Sequence, residues 1–289
     1  MFASEFDYYK VSSVAQAIQS LRSHQGAKLL AGGHSLLPMM KLRLARPTAL
    51  VDIGGIADLK GVGVRNGVIH IGPLTTHHAI ASSEQLGRAC PLLTEAAGEI
   101  GDPQVRNRGT IGGNVSHADP SSDWPAALTA LNARFVAQGS GGRRTIAAAD
   151  FFKDVFVTNL DEEEILVDIE VPVLSPNHRT AYAKMAHPAT FSPIVSAAAV
   201  LTVSGNRCTE ASIVVGGLVP RPVRATSVEN ALRGQQLTLE TIAAAAAHVG
   251  QDLGSDVLGD VYASAEYRRA VAPVEVKHAI YHAAGLAHH

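Results

Sequence analysis

Apolar positions recur in two periods along this chain, and the switches between them mark its elements. Val14, Ile18 and Leu21 repeat at helical spacing behind Ser12 and Ser13, so a capped helix is expected there. Lys28-Leu29-Leu30 reads as a short buried strand and Leu50-Val51-Asp52-Ile53 as another. The apolar residues Leu36 to Leu42 lie between them, and Pro47 stops whatever forms there. This gives a β-turn-α-β unit of about 50 residues. Val62 to Val64 and Val68 to Ile71 flank Arg65-Asn66-Gly67, a hairpin signal. Thr75 or Thr76 opens a short helix carrying His77 and His78. Adjacent helical residues point to different faces, so these histidines are expected to be partly exposed and not a joint metal site. Pro91 to Ile100 and Trp124 to Leu131 read as helices, the second capped by Ser121, Ser122 or Asp123. Ala133 to Gln138 and Arg143 to Ile146 form a second hairpin, and Glu164 to Val171 alternates up to Pro172.

After Pro172 the character changes. Leu174-Ser-Pro-Asn-His178 reads as a linker, which places a boundary near residue 176. Domains of 1–176, itself divided at about 57, and 177–289 are expected. Tyr182 to Met185, Ile194 to Ser204 and Cys208 to Val215 read as strands. Helices at Val228 to Leu232, Glu240 to Val249 and Glu266 to Ala284 follow, with Pro273 expected to break or kink the last. An antiparallel sheet followed by helices makes the class α+β. His288 and His289 are expected to be a frayed tail.

The 289 residues are 46% hydrophobic, enough for a substantial core. A formal charge of −2 gives no electrostatic case for nucleic acid. Two cysteines, Cys90 and Cys208, are too few for a disulfide framework or a four-thiolate iron–sulfur cluster, so a reducing, cytoplasmic setting is expected. The first residues, MFASEFDYYK, show no signal-peptide pattern. No apolar run has the length of a transmembrane segment; the nearest, Ile194 to Val203, is strand-length and β-branched.

Candidate chemistry concentrates in two glycine turns, Ala31-Gly32-Gly33-His34-Ser35 and Thr110-Ile111-Gly112-Gly113-Asn114. Glycine admits positive φ and close backbone approach, and successive N–H groups in such turns can hold an anion. Two of them suit two neighbouring phosphates, with Ser35, Thr110 and Asn114 adding side-chain bonds. Arg106 and Arg108, just before the second turn, lean towards a solvated role. Gly32-Gly33-His34 and Gly61-x-Gly63 both fail the G-x-G-x-x-G pattern, so a Rossmann nicotinamide site is not supported.

In order, the segments Phe6-Asp-Tyr8, Ala31-Gly-Gly-His-Ser-Leu-Leu-Pro-Met-Met-Lys41, Asp102-Pro-Gln-Val-Arg106, Gly109-Thr-Ile-Gly-Gly-Asn114, His117-Ala-Asp-Pro-Ser-Ser-Asp-Trp-Pro125 and Ser264-Ala-Glu-Tyr-Arg-Arg269 resemble the flavin-binding medium subunits of the molybdenum hydroxylases. The likeness is to those of the carbon monoxide dehydrogenase type and, more distantly, to the xanthine dehydrogenase flavin domain. It spans essentially the whole chain. It implies a two-part FAD-binding domain of the PCMH/vanillyl-alcohol oxidase type and a C-terminal cap domain. It implies FAD contacts from both glycine turns, from Asp123, from Lys184 near the start of the cap and from Leu166, which pattern alone makes a core strand residue. It also implies a small [2Fe-2S] subunit and a large molybdopterin subunit as partners, in a dimer of heterotrimers. These partners would carry the metals, and no residue of this chain is assigned a catalytic or metal-binding role. One departure is noted: where many members carry a tyrosine near the flavin, this chain has Thr190-Phe191-Ser192-Pro193. The same turns also suit a free-standing oxidase of the vanillyl-alcohol oxidase type, a reductase of cell-wall precursors, or a non-catalytic nucleotide-binding assembly subunit.

Overall fold

The structure, a computed structural model, describes residues 2–286, so the His288–His289 tail lies outside the described residues. The first element is a three-stranded parallel sheet with Ala49–Asp52 between Asp7–Lys10 and Lys28–Leu30. The expected crossover from Lys28–Leu30 to Ala49–Asp52 is present, with a short helix at Leu36–Lys41. Helix Val14–Ser23 is capped by the Ser13 hydroxyl, which accepts the Gln16 N–H at 3.2 Å. Its buried residues Ala17 and Ile18 join Val51 and Ile53 in a small core.

The second sheet is antiparallel, in the order Val62–Arg65, Val68–Ile71, Ile165–Pro172, Arg134–Gly139, Gly142–Ala147. Both expected hairpins form. The late strand Ile165–Pro172 is inserted between them and carries a bulge between Leu166 and Asp168. The extra residue lets Leu166 and Ile169, three positions apart, both enter the main core around Trp124 and Phe135. Ile165 and Val167 face the small core instead, so this one strand ties the two N-terminal sheets together.

The third sheet is antiparallel too, in the order His178–Ala186, Pro193–Ser204, Arg207–Gly216, Val223–Arg224, one strand more than the pattern suggests. Alternation sends Tyr182, Ala198, Val200 and Val214 into the main core. Ala181, Ala197, Ala199, Ile213 and Val215 go to the other side, under helices Thr226–Leu232, Leu239–Ala246 and Ala265–Ala284. With both faces buried, this sheet needs no polar face, which accounts for the mostly apolar stretch from Ile194 to Leu201, interrupted only by the buried Ser196. The helix Ala265–Ala284 continues through Pro273, so the proline does not break it. Proline removes one backbone donor, but Ala272 on one side and Val276, Ala279 and Ile280 on the other are buried in a single core. Packing on both flanks outweighs the local penalty of about 3 kcal/mol.

Candidate cofactor site

The two glycine segments meet. A Cβ placed on Gly32 would stand 2.2 Å from the Arg108 carbonyl oxygen and 3.0 Å from Gly109 Cα. One placed on Gly113 would stand 3.6 Å from Ala31 Cβ. Only glycine at residue 32 allows this approach, and Gly33 carries φ +76°, which disfavours a side chain there.

Their chemistry differs. In the first segment the N–H groups of Gly32, Gly33, His34, Ser35 and Leu36 find no protein acceptor among the described residues. Ser35 holds the N-cap position of the Leu36–Lys41 helix, yet its hydroxyl makes no cap bond. The result is a row of open donors at a helix start, suited to an anion. The second segment is not a turn but the start of helix Ile111–His117. Its backbone donors from Ile111 to Asn114 are already spent. Ile111 N–H donates to the Thr75 carbonyl at 3.1 Å, Gly112 N–H to the Pro73 carbonyl at 2.8 Å, and Gly113 N–H to the Thr110 hydroxyl at 3.2 Å. Gly112 is a packing glycine, since its Cβ would lie 2.2 Å from Pro73 Cβ. The expectation that both segments hold phosphate through successive N–H groups is corrected for the second: Ile111, Gly112 and Gly113 have no free N–H to offer. What the helix start does offer is Asn114 Oδ1, a buried acceptor with no partner.

Asp123 and Lys184 are brought together across the two halves of the chain. Lys184 Nζ donates to Asp123 Oδ1 at 2.8 Å, to the Glu99 carbonyl at 2.6 Å and to the Phe191 carbonyl at 2.7 Å, with 3% of its side chain exposed. The Tyr182 hydroxyl donates to the same Asp123 oxygen at 3.0 Å. Burial raises the Asp123 carboxyl pKa, and the Lys184 ammonium opposes that rise. Asp123 does not cap the Trp124 helix with its side chain, so its capping reading is set aside. The Phe191 segment, where the likeness departs, is held in place by Lys184; Phe191 itself sits at φ +58° and is exposed.

Other expectations need correction. His77 is 3% exposed rather than partly exposed, and its Nδ1 accepts the Trp124 indole N–H at 3.0 Å. Burial, with His34 adding to it, lowers its pKa to about 4. Arg106 is half-buried and binds the carbonyls of Ile100 and Gly101, both at 2.9 Å, whereas Arg108 is exposed. The Leu166 side chain belongs to the main core at 4% exposure, beside the bulge. Cys90 and Cys208 are buried in separate cores, with burial raising their thiols to about 12 and about 11.

An anion-seeking row of amides on one segment and an unmet buried acceptor on the segment it meets fit a ligand with both a diphosphate and donor groups, as FAD has. Residues 4–174 match the family model described as the FAD binding domain in molybdopterin dehydrogenase. The chain belongs to this family of FAD-binding flavoproteins. Residues 180–283 match the CO dehydrogenase flavoprotein C-terminal domain. The flavoprotein is 39% identical to the carbon monoxide dehydrogenase medium chain of Hydrogenophaga pseudoflava, over 97% of each chain. It is 36% identical to the glyceraldehyde dehydrogenase medium chain of Sulfolobus acidocaldarius, over 95% of this chain and 96% of that one. A chain in the solved structure of the Hydrogenophaga pseudoflava carbon monoxide dehydrogenase lacking the Mo-pyranopterin moiety superposes with a TM-score of 0.93, at 39% identity and 98% coverage of each chain. The α+β architecture and the oxidoreductase class follow from this membership, and FAD is the cofactor of the N-terminal domain.

Proposed function

We propose that this chain is the electron-relay subunit of a molybdenum hydroxylase, taking electrons from a [2Fe-2S] subunit and passing them to an external acceptor. The observation that carries this reading is the junction of the two glycine segments, with open amides from Gly32 to Leu36 on one side and the unmet Asn114 Oδ1 on the other. Bound flavin supplies the redox chemistry; the protein supplies position, charge and access. The Gly32–Leu36 amides and the Ser35 hydroxyl would hold the diphosphate, with Ala31 and His34 shaping the same loop. Thr110, Ile111, Gly112 and Gly113 would set the floor, and Asn114 would accept a bond from the cofactor. Asp123 and Lys184 would meet it at the joint between the two halves, and Leu166 through the bulged backbone beside its buried side chain.

The medium chains to which this one is similar are named for carbon monoxide and glyceraldehyde, so similar scaffolds serve different oxidations. Substrate choice then belongs to a large molybdopterin subunit, and the metal relay to a small [2Fe-2S] subunit, within a cytoplasmic dimer of heterotrimers. The test is reconstitution. The isolated chain should take up FAD and fail to oxidise any substrate, while addition of the reduced [2Fe-2S] subunit should bleach its flavin absorbance. Gly33→Val should abolish FAD uptake, because the side chain is strained at φ +76° and its Cβ falls 2.9 Å from Leu37 Cδ1. Substrate turnover by the isolated chain, or normal FAD content in Gly33→Val, would contradict this reading.

A further inference from the structure

We infer that His77 is a ligand of the FAD diphosphate, presenting a neutral Nε2–H to it at the junction of the two glycine segments. The inference rests on the FAD-subunit reading and adds a residue that lies outside both segments.

The indole N–H of Trp124 is only a donor, so the His77 Nδ1 it meets at 3.0 Å carries a lone pair. A neutral imidazole bonded in this way holds its proton on Nε2. The tautomer is therefore fixed by a neighbour from another helix. Burial and the nearby His34 keep a second proton off the ring near neutral pH.

That Nε2–H has no protein acceptor among the described residues; the residue is only 3% exposed, and Nε2 lies at the part of it that still reaches solvent. The ring edge that bears it lies against Gly109, where a Cβ would fall 2.8 Å from both Nε2 and Cδ2. Gly109 is also the residue that Gly32 approaches, a Gly32 Cβ falling 3.0 Å from Gly109 Cα. The backbone holds the histidine there, its N–H donating to the Gly109 carbonyl at 3.1 Å. The donor thus lies against Gly109, the residue that the first glycine segment approaches through Gly32. An anion resting on that segment's open amides supplies the missing acceptor. A neutral donor also suits a buried place, where a cation would carry a large desolvation cost in the cofactor-free protein.

The full chain, stripped of FAD and reloaded, provides the test. His77→Gln keeps an N–H donor at similar reach, and His77→Leu keeps the bulk without it. FAD affinity from flavin fluorescence should fall about tenfold or more in His77→Leu and stay within about threefold in His77→Gln. The 31P signals of bound FAD should move in His77→Leu only, and FAD should shift the 15N resonance of the wild-type His77 Nε2. Thermal midpoints without FAD separate this from simple packing. Equal loss of FAD in both variants, in step with lost apoprotein stability, would make His77 a core residue and overturn the assignment. Unchanged affinity and 31P signals in His77→Leu would overturn it too, leaving the FAD reading intact. Failure of the wild-type chain to take up FAD would remove both.

Discussion

At the scale of single residues, the histidine that matters is the one the pattern did not single out. His77 and His78 look alike in the sequence, and neighbouring helical positions do not reveal which one faces inward. Burial of His77 is a tertiary fact, set by Trp124 far along the chain. Its protonation consequences can be measured. The folded pKa of about 4 lies below the ordinary 6.5, so between these values the unfolded chain binds a proton that the folded chain refuses. Stability from this group is therefore full above pH 6.5 and is lost as pH falls towards 4, by about 3 kcal/mol in all. Glu95 acts the other way. Burial raises its carboxyl from 4.5 to about 7, so its contribution falls as pH rises through that range. In the cofactor-free chain the two slopes oppose. Thermal midpoints taken from pH 4.5 to 7 should fall with pH in His77→Gln and rise with pH in Glu95→Gln, each relative to wild type. Parallel curves for all three proteins would refute this account.

At the scale of elements, local pattern carried a long way. The capped first helix, both hairpins and the β-turn-α-β unit stand where alternation, Asn66-Gly67 and the serines placed them. The departures share one cause: packing that a short window does not contain. Thr110 to Asn114 resembles a turn because of its glycines, yet Pro73 and Thr75 supply carbonyls that let a helix begin there. Gly112 is then needed for contact rather than conformation. Gly112→Ala should cost about 1–3 kcal/mol by overpacking against Pro73, seen as a lower denaturation midpoint with or without FAD. An unchanged midpoint would mean that the helix start yields freely. Pro273 shows the converse case, in which buried neighbours on both flanks keep a helix intact through a residue that ordinarily ends one.

At the scale of the whole molecule, the two halves are joined by buried polar contacts as well as by core. The Ser212 hydroxyl donates to the Ala130 carbonyl at 2.8 Å, and Lys184, on the same half as Ser212, reaches Glu99 and Asp123. Lys184→Met removes a buried cation and leaves the Asp123 carboxylate without its counter-charge. A loss of about 3–5 kcal/mol is expected in chemical denaturation. Protease cleavage within the 173–177 connection should become faster as the halves separate more often. Cleavage at the wild-type rate, with the denaturation midpoint unmoved, would show that the core alone holds the joint. This lysine was legible only through family likeness, since its partners come from three separate stretches of chain.

The Lys184 knot also bears on how a cofactor is loaded. An ammonium with three protein acceptors has no donor to spare, so a newcomer at that corner must take one of those acceptors or displace the lysine from it. Occupancy and the seating of one half upon the other then become two readings of a single equilibrium, each shifting the other by the same free energy. On the proposed placement of the cofactor at that corner, the empty flavoprotein and the loaded one would offer different shoulders to a partner docking beside them.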